Sequence, residues 1–224
     1  MISIDHVTVR LQSRVVLDDL ALSLTEHRIG VIGDNGSGKS TFAKLLNGLL
    51  LPDHGTVTVD GFDTRSDGKK VRSRVGFLFQ NPDNQIVMPT VAEDLALGLK
   101  PLRLDGDVLR QRISDTLEGF SLSHLADRSA HLLSGGEKQL VALAGVMIAE
   151  PDILVCDEPT TLLDRRNAEL VMKTIADLPC TVIVVTHHVE HLDSFDRVLV
   201  LDKGRISHDG APDCAIPLYL GPLS

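Results

Sequence analysis

The chain has 224 residues, a formal net charge of −9 and 43% hydrophobic residues. This length is enough for one compact domain with a sizeable core. Because gripping a nucleic-acid backbone requires a basic stripe, the acidic balance predicts no nucleic-acid partner. The longest apolar runs, at 140–149 and 181–186, are far shorter than the about 20 residues of a membrane-spanning helix. The first residues lack a signal-peptide pattern and the 3 cysteines are scattered, so we expect a cytoplasmic protein without disulfides.

The first third of the chain predicts strands interrupted by one glycine-rich loop and one helix. Apolar residues from Phe42 to Leu49 recur at helical spacing, so we predict that the helix continues through Gly48. The segments with strand-like patterns are 2–11, 21–25, 28–32, 56–60 and 75–80.

The rest of the chain changes from helix back to strand. From residue 81 to about residue 149 the apolar spacing is helical, and one core-facing stripe consists of Leu109, Ile113, Leu117 and Phe120. Strand patterns return at 153–156 and 181–186, with a helix between them, and a hairpin ends at residue 207. Alternating strands and helices predict a parallel sheet, into which the helical stretch is inserted.

Eight residues between a predicted strand and a predicted helix match the pattern G-x-x-x-x-G-K-[ST]. They are Gly33, Asp34, Asn35, Gly36, Ser37, Gly38, Lys39 and Ser40. Glycines let the backbone turn its N–H groups toward a phosphate, and the helix N-terminus adds a partial positive charge. We expect Lys39 to reach the β- and γ-phosphates of a nucleotide and the Ser40 hydroxyl to bind Mg²⁺.

The apolar strand at 153–156 ends in two carboxylates, Asp157 and Glu158. Side chains at the carboxyl end of a buried strand lie where α/β sheets bind ligands. Asp157 is therefore expected to hold Mg²⁺, mostly through water, and Glu158 is the natural general base for an attacking water. The alternative is a solvated turn without a catalytic role.

A second glycine-containing segment, Ser134-Gly135-Gly136-Glu137, opens an apolar helix. A serine with a glutamate three residues later is a capping box, which is a local structural device. It does not explain two glycines in the first turn, where their helix propensity is poor. We interpret the glycines as places where a phosphate approaches the N–H groups closely.

Together with Gln80, residues 160–164 and His187, these segments follow the order of the motifs of an ABC-type ATPase, which the chain resembles over essentially its whole length. The resemblance implies an α/β P-loop NTPase fold, the ABC nucleotide-binding domain, with an N-terminal antiparallel β subdomain and an inserted α-helical subdomain. It implies a single domain over residues 1–224. Residues 1–84 and 150–224 would form the nucleotide-binding core, and residues 85–149 the helical subdomain with the signature motif.

The same resemblance implies a shared ATP site with ATP and Mg²⁺ as cofactors. In this family the signature of one subunit covers the γ-phosphate bound by the other, so a second ATPase subunit is expected and a homodimer is favoured. The implied catalytic residues are Glu158, His187 and Gln80, and the implied Mg²⁺ ligands are Ser40, Gln80 and Asp157. ATP would contact Leu11 and residues 33–41, ending at Thr41, in one chain, and Ser134, Gly135, Gly136, Glu137 and Asp164 of the other.

Three positions need separate comment. Leu11 stands where the family usually stacks an aromatic residue on adenine, so we expect loose base recognition. Glu137 replaces a commoner glutamine, and we expect it to turn away and cap the helix. His187 and His191 have a spacing that could bind zinc on a helix, but His187 directly follows a strand-Thr pattern, where the family carries its γ-phosphate sensor.

The segment between Gln80 and Gly98 closely resembles that of the ATPases of energy-coupling factor (ECF) transporters, which import vitamins and transition-metal ions. In those proteins it receives the coupling helices of a transmembrane T component, which works with a substrate-binding S component. We expect the carboxylates of Asp83, Glu93 and Asp94 to face this partner. The short C-terminal part is more similar to the ATPase of the dedicated biotin system than to the cobalt one. The chain would then act at the cytoplasmic face of the cell membrane.

One alternative is a soluble ABC ATPase in an assembly complex, such as iron–sulfur cluster biogenesis, which the core motifs fit equally well. Co-purification with a membrane protein would separate the two. A P-loop small-molecule kinase fits less well, because it has no use for the Ser134 segment or for Asp164. The sequence leaves open the transported substrate and whether the second ATPase subunit is an identical chain.

Overall fold

The computed structural model describes residues 1–221 and divides the chain into two compact units. The core unit consists of residues 1–77, 152–158 and 178 onward, and the helical unit consists of residues 78–151 and 159–177. The helical unit thus includes three segments, 78–84, 150–151 and 159–177, that the sequence analysis assigned to the core.

The core unit contains two sheets. The strands are β1 (Ile2–Leu11), β2 (Arg14–Leu24), β3 (Arg28–Ile32), β4 (His54–Val59), β5 (Phe62–Asp63), β6 (Val75–Leu78), β7 (Ile153–Asp157), β8 (Thr181–Val185), β9 (Arg197–Asp202) and β10 (Arg205–Gly210). A four-stranded sheet has the order β2-β1-β4-β5 and a six-stranded sheet the order β10-β9-β3-β8-β7-β6. Pairing of β1 with β2 and β4 is antiparallel, whereas β3 pairs with β8 and β9, and β7 with β8, in parallel. The predicted antiparallel start and parallel core are confirmed.

Burial explains why the central strands read as continuous apolar runs. Every residue of β7 is buried, as are four of the five residues in β3 and in β8. A parallel strand covered on both faces needs apolar side chains on both faces. The carboxyl ends of β3 and β7 carry the phosphate-loop pattern and the two carboxylates, so one sheet positions both.

The helices are α1 (Lys39–Leu46), α2 (Gly68–Arg74), α3 (Val91–Leu99), α4 (Gly106–Gly119), α5 (Gly135–Met147), α6 (Arg165–Ala176) and α7 (Pro212–Leu220). In the helical unit, α5 packs against α3 and α6. On α4, Leu117 is the fully buried member of the predicted stripe, and the other three are half-buried. Within residues 1–221, no helix is both long and apolar enough to cross a membrane.

The end of α1 differs from the prediction. The helix stops at Leu46, and Gly48 has a φ of 71°, in the left-handed region. Glycine adopts this conformation without a Cβ penalty and commonly terminates helices. The prediction that the helix continues through Gly48 was therefore wrong, and Leu49 is 48% exposed instead of packing on the helix face.

Candidate nucleotide site

The turn between β3 and α1 forms a loop whose backbone is bridged by the side chain of Lys39. Lys39 Nζ donates hydrogen bonds to the backbone oxygens of Gly33, at 2.7 Å, and Asp34, at 3.1 Å. Gly38, which precedes α1, has a φ of 109°, and a Cβ there would lie 2.8 Å from Leu17 Cδ2. Glycine is thus required by backbone conformation and by space. Ser37 Oγ is buried without a hydrogen-bond partner among the described residues. A loop of backbone donors with a buried cation fits a phosphate group.

The turn between β9 and β10 contacts and supports this loop. The sequence analysis did not predict this support. The Gly204 N–H donates to the backbone oxygen of Ser37 at 3.0 Å, and the Gly204 oxygen accepts from Asp18 N–H at 2.9 Å. Gly204 is buried and has a φ of 80°. The only signal in the sequence is the turn-forming Asp202-Lys203-Gly204, which does not reveal what the turn contacts.

Asp157 and Ser40 meet beside the loop. The Ser40 hydroxyl donates to Asp157 Oδ1 at 2.8 Å, and Asp157 is 5% exposed. Burial raises the pKa of Asp157 above its ordinary value, while the hydrogen bond from Ser40 and the positive charge of Lys44 oppose that shift. A buried carboxylate next to a hydroxyl is an oxygen pair of the type that Mg²⁺ prefers. The residues present fit this ion.

Glu158 lies between a lysine and a histidine. Its Oε2 is 2.8 Å from His187 Nδ1, and its Oε1 is 4.0 Å from Lys39 Nζ. The side chain is buried, and the backbone has a φ of 51°, held by a hydrogen bond of 2.8 Å from its N–H to the Val185 oxygen. Non-glycine residues in this conformation cluster at functional sites. His187 precedes a short 3-10 helix, Val189–His191, so His187 and His191 do not share an α-helix.

In the helical unit, the Ser134 segment forms the expected capping box. Ser134 N–H donates to Glu137 Oε2 at 2.7 Å, and Glu137 N–H donates to Ser134 Oγ at 3.3 Å. The bond from the Ser134 backbone is the main reason why the pKa of Glu137 lies below its ordinary value. The prediction that Glu137 caps the helix is confirmed.

The two glycines of the segment differ in their surroundings. A Cβ on Gly136 would lie 2.4 Å from Asn167 Oδ1, whereas a Cβ on Gly135 would lie 3.6 Å from Leu163 Cδ2, an ordinary contact. Asp164 caps α6 by accepting from Asn167 N–H at 2.9 Å and from Asn167 Nδ2 at 2.8 Å. Packing against α6 therefore explains Gly136, but it does not explain Gly135.

The remaining predicted residues fall in both units. Leu11 ends β1 opposite Arg14 and is 43% exposed, and Thr41 lies in the first turn of α1. Gln80 is exposed and belongs to the helical unit. The structure thus brings together Lys39, Ser40, Asp157, Glu158 and His187 in the core unit, and the signature residues with Asp164 in the helical unit.

The segment after Gln80 does not present all three predicted carboxylates. Asp94 is 8% exposed and accepts hydrogen bonds from Val87 N–H, at 2.9 Å, and Met88 N–H, at 3.1 Å. The expectation that Asp94 faces a partner was wrong, because these backbone donors hold it inside. Glu93 completes a capping box with Thr90, and Asp83 forms an ion pair of 2.6 Å with Lys138.

A groove with both apolar and polar lining residues, Asp83 and His131 among them, lies in this segment. It has a volume of about 330 Å³, and Ile86, Val87, Met88 and Pro89 are among its lining residues. Val87 is 65% exposed.

A lysine-bearing glycine loop between a strand and a helix, with a carboxylate at the end of a second parallel strand, defines a P-loop nucleotide-binding protein. The family model for "ABC transporter" matches residues 17–161. The chain therefore belongs to the ABC transporter family, and it is an ATPase with the ABC ATPase fold.

Three relatives cover the chain from end to end or nearly so. A Bartonella quintana protein, named as an ABC transporter ATP-binding protein, is 52% identical over 100% of this chain and 99% of its own length. The biotin transport ATP-binding protein BioM of Rhizobium etli is 47% identical over 97% of each chain. The energy-coupling factor transporter ATP-binding protein EcfA1 of Clostridium novyi is 40% identical over 90% of this chain and 74% of its own.

Two solved structures share the fold. CbiO1 of Clostridium perfringens, described as part of the ABC transporter complex CbiONQ, has a TM-score of 0.86 and 30% identity, covering 98% of this chain and 92% of its own. The ATP-binding cassette MJ0796, a dimer bound to ADP and Pi, has a TM-score of 0.84 and 28% identity, covering 95% and 99%. The chain is accordingly an ATP-binding subunit of a transporter.

Proposed function

We propose that the chain is the ATP-hydrolysing subunit of an ECF-type importer at the cytoplasmic face of the membrane, with biotin as the cargo. The hydrolytic part of this proposal rests on Glu158, which contacts both Lys39 and His187. The Ser40–Asp157 pair supports it as a site for Mg²⁺. The relative named BioM supports biotin, and the CbiONQ neighbour supports assembly with membrane proteins. A transition-metal ion is the competing cargo, which uptake assays with biotin and with cobalt or nickel would distinguish.

The predicted site residues of the core unit would then have the following roles in hydrolysis. The loop from Gly33 to Thr41 binds the phosphates, and Lys39 neutralises the β- and γ-phosphates. Ser40 and Asp157 would hold Mg²⁺, which stabilises the charge that develops on the transferred phosphoryl group. Glu158 accepts a proton from the attacking water, and His187 holds the Glu158 carboxylate in place. Leu11 offers the base apolar contact without stacking, so ATP and GTP should bind with similar affinity.

The helical unit supplies the other half of the site to a second subunit. The Ser134 N–H is already bonded to Glu137, so the N-terminus of α5 would present the Gly135 N–H, which suits a γ-phosphate. The Glu137 carboxylate is held by its capping bond to the Ser134 N–H. A homodimer would hold two complete sites, and the dimeric MJ0796 cassette supports this arrangement.

The segment between Gln80 and Gly98 is the proposed docking surface for the T component, which would in turn hold the S component. The groove of Ile86, Val87, Met88 and Pro89 accepts an apolar helix face, and methionine adapts to such a guest. Asp83 remains 63% exposed despite its pairing with Lys138, so it can also meet a basic residue at the rim.

Replacing Glu158 by Gln tests the hydrolytic role. Losing a positioned general base should slow ATP hydrolysis by about 10²-fold or more while ATP binding is retained. Steady-state phosphate release and equilibrium nucleotide binding measure the two effects. Glu169→Gln, at an exposed position on α6, serves as the control and should hydrolyse ATP at the wild-type rate. Near-normal turnover of Glu158→Gln would refute the assignment.

A charge placed in the groove tests the membrane partner. Val87→Asp should abolish co-purification with the T component and biotin uptake while ATP binding by the isolated subunit stays normal. Val108→Asp is the matched control, because Val108 is 53% exposed on α4 and lies outside the groove. Assembly and uptake of Val87→Asp at the wild-type level would place the docking surface elsewhere.

A further inference from the structure

The last turn of α7 returns to the phosphate loop. Ala215 and Ile216 anchor this helix with 2% and 8% exposure, and the helix packs on β9 and β10. Its Tyr219 hydroxyl donates a hydrogen bond of 3.1 Å to Asp34 Oδ1. Asp34 is the second residue of the loop, and its backbone oxygen accepts from Lys39 Nζ. The single tyrosine of the chain thus contacts the phosphate loop directly.

The phenol also interacts electrostatically with the proposed catalytic carboxylate of Glu158. Burial, the hydrogen bond to Asp34 and the negative charges of Asp34 and Glu158 raise the pKa of Tyr219 above its ordinary value. The hydroxyl therefore stays protonated at neutral pH and remains a donor to Asp34. The Tyr219 side chain is half-buried, and its hydroxyl is bonded to the exposed Asp34.

Asp34 lies on the accessible side of the loop. Asp34, Asn35 and Gly36 are exposed, whereas residues 37–39 are buried beneath them. A second subunit that delivers the Ser134 segment to the γ-phosphate would meet these exposed residues of the loop first. The Tyr219 hydroxyl is bonded to the first of them, Asp34.

We propose that the last turn of α7 is an autoinhibitory latch, in which Tyr219 bound to Asp34 restrains ATP-driven association of two chains. The inference rests on the proposed function, since it needs a site completed by a second subunit. Two features would allow the last turn of α7 to move away from the loop. Pro217 lies inside α7 and cannot donate a helical hydrogen bond, and Leu218 and Leu220 are 59% and 60% exposed. The last turn can therefore swing away while Ala215 and Ile216 stay packed.

Tyr219→Phe tests the latch, because it removes the hydroxyl and keeps the ring. The loss of one hydrogen bond should lower the ATP concentration for half-maximal dimerisation about fivefold and raise the ATPase rate of the isolated full-length subunit. Light scattering and phosphate release measure these effects. Tyr219→Ala, which also removes the ring, should shift both further in the same direction. Leu220→Ala, at a 60% exposed position on the same turn, should match the wild type.

Equal ATP dependence of dimerisation in the wild type and Tyr219→Phe overturns the latch alone. A higher ATP requirement in Tyr219→Phe also overturns it, because Tyr219 would then assist association. If neither the wild type nor the Glu158→Gln variant dimerises with ATP, the proposed shared site is overturned, and the latch with it.

Discussion

Among single residues, the adjacent Gly135 and Gly136 separate packing from phosphate contact. A Cβ on Gly136 would lie 2.4 Å from the Asn167 side chain, which Asp164 holds in place. Gly136→Ala should therefore destabilise the fold by about 1–3 kcal/mol through overpacking. Gly135→Ala has room for its methyl group and should leave the fold as stable or gain up to about 1 kcal/mol from helix propensity.

Gly135→Ala should lower the rate of ATP hydrolysis although it leaves the stability of the fold unchanged or higher. If a γ-phosphate approaches the Gly135 N–H, the added methyl should slow ATP hydrolysis about tenfold or more by displacing a charge-stabilising donor. Thermal unfolding and steady-state ATPase assays on both variants separate the effects. Wild-type hydrolysis by Gly135→Ala would remove the reason for assigning this glycine to a phosphate.

Sequence reasoning identified the chemistry of single residues better than their contacts. Asp157 and Glu158 follow an apolar strand, and this local pattern is sufficient to select them. The contact of Glu158 with His187 joins residues 29 positions apart and depends on β7 lying beside β8. Asp94 was misjudged for a related reason. Its charge suggested exposure, but backbone donors of the preceding loop hold it inside.

At the scale of elements, the β9–β10 turn supports the phosphate loop. Adding one methyl group at Gly204 tests this support. In Gly204→Ala, the Cβ would lie 2.3 Å from the Val16 oxygen, and the residue would also keep a φ of 80°. Backbone strain of about 1–3 kcal/mol and displacement of the Ser37 carbonyl are expected, so stability and ATP binding should both fall.

Gly61→Ala isolates the contribution of backbone strain. Gly61 has a φ of 81°, almost that of Gly204, but nothing lies within 4 Å of the position of its Cβ. It should lose about 1 kcal/mol of stability and bind ATP normally. Chemical denaturation and nucleotide titration of the two variants provide the comparison. Equal ATP affinity of both variants would show that the turn does not support the loop.

A second element-scale prediction concerns the arginine that ties β9 to its neighbours. Arg197 donates to both carboxylate oxygens of Asp209, at 2.6 and 2.7 Å, and to Glu26 Oε2 at 3.0 Å. Its side chain is 17% exposed. Arg197→Met should cost about 1.5–3 kcal/mol of stability, the range for charged hydrogen bonds. Arg205→Met removes a more exposed pair with Asp18 and should cost about 0–1 kcal/mol.

The effect of Arg197→Met should depend on pH in a defined direction. Burial raises the pKa of Glu26, but hydrogen bonds from the backbone of Thr25 and Glu26 and from Arg197 outweigh this and lower it from 4.5. The ionised carboxylate therefore stabilises the fold above its unfolded pKa, and this stabilisation is lost as pH falls through the lower folded value. Urea denaturation should show a full difference between wild type and Arg197→Met at neutral pH. A difference that does not shrink on acidification below about pH 4.5 would contradict the role of Glu26.

The periodicity of apolar residues predicted that most helices and strands exist. It did not predict where some of them end or what they pack against. The apolar spacing past Gly48 resembled a continued helix, although the backbone of that glycine ends it. Helix α7 was not predicted at all, because Pro212 and Pro217 within a short segment argue against a helix. Pro212 is tolerated because it occupies the first turn, where its missing N–H leaves no bond unmade.

For the whole molecule, two inactive variants should restore one another if the site is shared between chains. Lys39→Ala removes the phosphate-binding cation from the core unit, and Ser134→Arg obstructs the N-terminus of α5 in the helical unit. In a mixed dimer, one of the two sites contains both defects and the other contains neither. Equal amounts of the two variants should then recover about one quarter of the wild-type ATPase rate, since half of the dimers are mixed and each has one intact site.

Each variant alone must be inactive and must retain wild-type thermal stability for this result to be interpreted. Mixing Lys39→Ala with Glu158→Gln is the matched control. Both defects lie in the core unit, so every site of a mixed dimer carries one of them and no activity should return. Recovery in the first mixture alone establishes that the signature of one chain acts on the nucleotide of the other. Absence of recovery in both mixtures would place the complete site within a single chain.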